Sequence, residues 1–127
     1  MNDTGAALPL GDGSLRDVRL AAWRFVLQRA SAAVLAFCVV VHLATMIYAV
    51  RHELTAQAIV ARMHASAAWP AFYTLFVLAV AVHAPLGLRA IADEWLGLRG
   101  PLVDFALGCF ALVLLGGGLY AVAALMA

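Results

Sequence analysis

The chain has no lysine, only two cysteines and seven acidic residues, and its charged residues amount to 12% of the total. A water-soluble domain covers its surface with about 25% charged residues, so this scarcity excludes a soluble fold. A net charge of +1, without a basic stripe interleaved with aromatics, excludes nucleic-acid binding. Cys38 and Cys109 both fall inside apolar runs and are expected to be small reduced packing residues rather than a disulfide. What the sequence has in place of charge is apolar bulk: 66% hydrophobic residues and a mean hydropathy of +0.99. The 127 residues make one domain, and three spans of about 20 residues would occupy half of it, leaving no room for a separate catalytic domain.

Residues 1–15 are rich in Gly, Ala, Asp and Ser, which predicts a mobile tail. Asp3, Pro9, Asp12 and Asp17 interrupt the first 29 residues, so no cleavable signal peptide is expected. From Arg16 to Gln28 arginines alternate with Leu20, Trp23 and Leu27 at helical spacing, which predicts a short interfacial helix. Residues 1–29 thus form a cytoplasmic tail and interfacial helix, and residues 30–127 a transmembrane domain. Its spans are expected at about 30–50, 68–92 and 102–126. Trp69 and Pro70 suit a helix start at the membrane interface, as does Pro101 after Gly100. The fold class is therefore all-α, an integral membrane three-helix bundle running up, down and up. Gly116, Gly117 and Gly118 in the last span are expected to let another helix or a flat cofactor approach the backbone closely, close helix packing being the plainer reading.

Orientation rests on arginine alone. Arg16, Arg19, Arg24, Arg29, Arg89 and Arg99 lie on one side, Arg51 and Arg62 on the other, which predicts a cytoplasmic N-terminus. With three spans the C-terminus then faces the periplasm of a bacterial inner membrane.

His42 and His83 are the readily ionisable residues deep inside the spans, where a histidine must be hydrogen-bonded, paired or coordinated. His52 and His64 fall in the loop outside the membrane and are expected to be solvated. An interhelical hydrogen bond would account for either buried histidine alone. One in each of two consecutive spans, with no Asp, Glu or Lys beside them, points toward a metal or haem. At about 1.5 Å rise per residue, His42 lies roughly 20 Å beyond Arg29 while His83 lies about 9 Å from Arg89. The imidazoles therefore sit at different depths, and each could supply one axial ligand to its own haem, the second coming from another chain. Ala79 and Gly87, four residues either side of His83, leave a shallow groove on its helix face. Arg89 stands at a distance suited to pairing with haem propionates. Cys38 and Met46 flank His42 more tightly.

Leu27, Gln28, Arg29, Ala30 and Ser31 before the first span, and His83, Ala84, Pro85, Leu86, Gly87, Leu88 and Arg89 followed by Glu94 and Trp95, carry a family resemblance. The chain resembles the cytochrome b membrane-anchor subunit of succinate dehydrogenase and fumarate reductase over nearly its whole length. The resemblance implies a subunit that holds a flavoprotein and an iron–sulfur protein at the cytoplasmic face, binds haem b and exchanges electrons with quinone. It implies His83 as axial haem ligand and Arg29 and Ser31 as residues near the quinone. Two departures stand out. Phe25 replaces a serine that some members use as a quinone contact, and His42 resembles the first-helix histidine of five-span, two-haem anchors. One haem is thus expected, and two if a partner chain completes the second. That partner is either a second copy of this chain or a different small anchor. The alternatives are a haem-free quinone-binding anchor and a non-redox scaffold whose histidines bond between helices.

Overall fold

The structure, a computed structural model, describes residues 12–127, and in them four helices: α1 (Asp12–Arg51), α2 (Ala56–Ala65), α3 (Ala68–Leu96) and α4 (Pro101–Met126). Three are long and apolar enough to cross a membrane, α1, α3 and α4, in agreement with the three expected spans. The boundaries follow local chemistry. Pro101 opens α4 at a position where its missing N–H goes unneeded. Gly97 closes α3 in the left-handed conformation, and the Leu98 N–H reaches back to the Ala92 carbonyl at 2.9 Å. Glu53, with φ of 48°, ends α1 in the same region, and Leu54 N–H bonds the Ala49 carbonyl at 3.0 Å.

Two expectations need correction. No separate short interfacial helix appears, because residues 12–29 are helical and continue unbroken into the first span. The arginines, leucines and alanines of that stretch are good helix formers, so nothing in it ends the helix. The tail expected over residues 1–15 is helical from Asp12 on, and its first eleven residues lie outside those described. At 40 residues α1 is about 60 Å long, twice the bilayer's hydrocarbon thickness of about 30 Å. A substantial length of it therefore stands clear of the hydrocarbon. The loop after α1 also carries a helix that the sequence reading did not anticipate. In α2, Thr55 caps the start by accepting the Ala58 N–H at 3.2 Å, and Met63 is buried.

The long helices form an open layer rather than a closed bundle. Both α1 and α4 pack on α3, and no Cα of α1 comes within 8 Å of one on α4. On α4 the half-buried residues Val103, Leu107, Ala111, Leu114, Gly118 and Val122 recur at three- and four-residue steps, one stripe facing inward. A Cβ on Gly118 would stand 2.6 Å from Val77 Cγ1, so glycine is needed for this approach, whereas Gly116 and Gly117 face open space. Close packing of the triplet thus rests on its last member. Arg89 and Asp104 join the α3 and α4 ends by a salt bridge. Among the described residues only Ser31, Cys38, Met63 and Ala79 are buried, and the others are half-buried or exposed.

Candidate functional site between α1 and α3

Helices α1 and α3 run antiparallel, and three contacts fix their register. A Cβ on Gly87 would lie 3.1 Å from Gln28 Nε2, Ser31 Oγ lies 3.3 Å from His83 Nδ1, and the His42 ring meets Tyr73 and Phe76 at 6.0 Å. Buried Cys38 and Ala79 fall between the last two contacts in the same register. From Ser31 to His42 is about 16 Å along the helix, so the two histidines do lie at different depths.

His83 is half-buried on the α1-facing side of α3. Two residues later Pro85 sits inside the helix, and its missing N–H leaves the Ala81 carbonyl without its usual helical donor. Small Ala79 and Gly87 share the His83 face, but α1 lies along that face, so any flat group reaching His83 enters beside α1 rather than into an open groove. Ser31 is 7% exposed, and its hydroxyl donates to the Leu27 carbonyl at 2.6 Å and lies 3.1 Å from that of Gln28.

Arg29 and Ser31 do not converge. Two residues apart on a helix, they point to opposite sides, and Arg29 is exposed with its guanidinium 5.4 Å over the Phe25 ring. The Arg89 guanidinium is engaged by Asp104. Near this end of the helices a cavity of about 420 Å³ opens between α1 and α3, lined by Arg24, Phe25, Gln28, Arg89, Asp93 and Glu94 among others. Arg24 and Gln28 were missed by sequence reasoning. The Gln28 side-chain oxygen is buried without a hydrogen-bond partner among the described residues, and a glutamine just before an apolar run was the available signal.

At the other depth, His42 Nδ1 is also buried without a partner, and its carbonyl accepts from the Thr45 hydroxyl at 2.8 Å. A cavity of about 280 Å³ adjoins it, bordered by Met46, Arg62, Met63, Trp69 and Tyr73 among others. Arg62 stacks over Tyr48 at 5.2 Å and Trp69 at 5.9 Å. His52 and His64 are exposed, His52 lying 4.3 Å from the Tyr48 ring. Cys38 and Cys109 are both free, the first buried and the second exposed.

Among the described residues no three His, Cys, Asp or Glu side chains gather closely enough to hold a metal ion. A lone histidine suits a metal already held by a macrocycle better than a chelated ion. His83 fits such a group: one ring nitrogen is engaged by Ser31, the ring stays partly accessible, and its neighbours on the face are small.

These features define a class, a three-span membrane protein with histidines set at two depths between its first two long helices. The family model of the succinate dehydrogenase/fumarate reductase transmembrane subunit matches residues 13–125, and the chain belongs to that family. Comparison with curated proteins and with solved structures gave no match. Membership makes the chain a membrane subunit of a complex with soluble partner subunits.

Proposed function

We propose that this chain is the cytochrome b anchor of a succinate:quinone oxidoreductase, binding haem b through His83 and helping to form the quinone site. The observation that carries the reading is the half-buried His83, its Nδ1 already engaged by Ser31, in a chain whose family is the membrane subunit of such complexes. When bound, the haem supplies one-electron chemistry between an iron–sulfur partner and the quinone. His83 would hold the haem iron through one ring nitrogen. A further ligand would come from another chain, either a copy of this one or a different small anchor, docked on the faces that the open layer leaves uncovered. Gly87 and Ala79 let α1 pack closely beside His83, and Arg89, released from Asp104, would pair with propionates.

The quinone headgroup enters the cavity beside Phe25, with Arg29 at the membrane surface and Arg24 along the wall. Gln28 is the polar candidate there, because its side-chain oxygen, without a partner among the described residues, can accept a hydrogen bond from a hydroxyl of the reduced headgroup. The arginine-rich start of α1, standing clear of the hydrocarbon, meets the iron–sulfur and flavoprotein subunits. The arginine bias supports a cytoplasmic position for this end and a periplasmic C-terminus, in the reading of the chain as a bacterial inner-membrane subunit. A second haem on His42 draws support from its buried ring nitrogen, which has no partner among the described residues.

A non-redox reading also draws on the Ser31 contact, which would by itself satisfy His83 as an interhelical hydrogen bond. Purification of the intact complex, followed by a reduced-minus-oxidised absorption spectrum, separates the two. Sharp reduced bands of a bis-histidine haem, with flavoprotein and iron–sulfur subunits copurifying, are expected. An intact complex without haem would overturn the cytochrome reading and leave a haem-free anchor.

A further inference from the structure

The family resemblance implies Ser31 near the quinone, yet it is 7% exposed and faces α3 rather than the cavity at Phe25. A hydroxyl carries one proton and two lone pairs. The proton of Ser31 is committed within α1, to the Leu27 carbonyl at 2.6 Å, with the Gln28 carbonyl at 3.1 Å alongside. What Ser31 turns toward His83 Nδ1, 3.3 Å away, is therefore a lone pair. With Nδ1–H donated to that lone pair, Nε2 is left as the electron-pair donor of the ring.

We propose that Ser31 is the positioning residue of His83. Its hydroxyl accepts the Nδ1–H, holds the ring in one tautomer and one orientation, and presents Nε2 as the electron-pair donor. This rests on the reading of His83 as a haem ligand, and it removes Ser31 from the quinone site. Metal-bound histidines generally donate their other N–H to such a partner, which fixes the tautomer and raises the basicity of the ligating nitrogen. The serine can do this because back-bonding to its own helix is the ordinary habit of a helical serine, which leaves its lone pairs for the neighbour. His42 has no equivalent, since its Nδ1 is buried without a partner.

The test uses the whole complex carrying Ser31→Ala or Ser31→Thr, read by haem per complex, haem midpoint potential and the KM for quinone. Ser31→Ala is expected to weaken haem retention by about 10- to 100-fold and to move the potential of the remaining haem upward, because a less basic ligand favours the ferric state less. Ser31→Thr keeps the hydroxyl and is expected to behave as wild type, and neither variant should change the KM. Wild-type haem content and potential in Ser31→Ala, with a raised KM, would overturn the proposal in favour of a quinone contact. Loss of haem in Ser31→Thr to the extent seen in Ser31→Ala would overturn it too. A wild-type complex without haem defeats the cytochrome reading separately. The tautomer is then read on the full chain labelled with ¹⁵N-histidine in lipid nanodiscs: protonated Nδ1 in wild type and a mixture in Ser31→Ala supports the role of Ser31, and one unchanged tautomer in both refutes it.

Discussion

The two faces of α3 are built on different terms. Toward α4 the contact is apolar and intimate, Val77 against the bare backbone of Gly118, with the Arg89–Asp104 pair at one end. Toward α1 it is polar and incomplete: Ser31 meets His83, while Gln28 Oε1 and His42 Nδ1 are buried with nothing to bond. An unsatisfied buried polar atom costs about 1–3 kcal/mol, and polar residues inside a membrane are rare enough to mark function. The α4 face therefore holds the subunit together. The α1 face gives up some of that cohesion, leaving Gln28 Oε1 and His42 Nδ1 without partners among the described residues.

This contrast can be broken from either side. The largest effect is expected from Gly118→Val, whose side chain cannot fit beside Val77 without moving a helix. Overpacking of this kind costs about 1–3 kcal/mol, so the yield of assembled subunit and its melting temperature should fall, while haem per surviving complex stays normal. Gly117→Ala, which meets open space, should leave both unchanged.

Gly87→Leu should do the reverse. The nearest atom is the flexible end of Gln28, so the protein still assembles, but the added bulk pushes α1 from α3 and loosens the Ser31–His83 contact. Haem content per complex, counted as pyridine haemochrome, is expected to fall about tenfold. Gly87→Ala should lose far less. The smallest change is expected from Asp104→Asn, which breaks a partly exposed ion pair worth about 0–1 kcal/mol. A thermal melt should barely move, and because the change frees Arg89 for the propionates, haem content should be at or above the wild-type level.

Much of the fold was legible in the sequence, for reasons that stop short of the site. Apolar runs of bilayer length marked the three spans, and Pro101 after Gly100 marked where α4 begins. The arginines from Arg16 to Arg29 were read as a separate surface helix because charge suggested a boundary, yet arginine is a good helix former and the backbone continues through it. Helix α2 escaped notice because its ten residues carry no strong amphipathic stripe, only the capping signal of Thr55. His83 and His42 stood out as polar residues in lipid. The pairing of His83 with Ser31 did not, because the register between two helices is a property of both and is written in the periodicity of neither. For the same reason Gln28 and Arg24 were passed over, and Arg29 and Ser31, two residues apart in sequence, were grouped although they point in opposite directions.

The central claim is that His83, on the α1 face and held by Ser31, is the ligand on which the haem depends. Its most direct test is a pyridine haemochrome count per complex for wild type, His83→Ala and His42→Ala. Loss of haem in His83→Ala, with haem retained at His83 in His42→Ala, is the expected result. Partial loss in each variant would add a second haem at the depth of His42. Full haem content in His83→Ala would contradict the account.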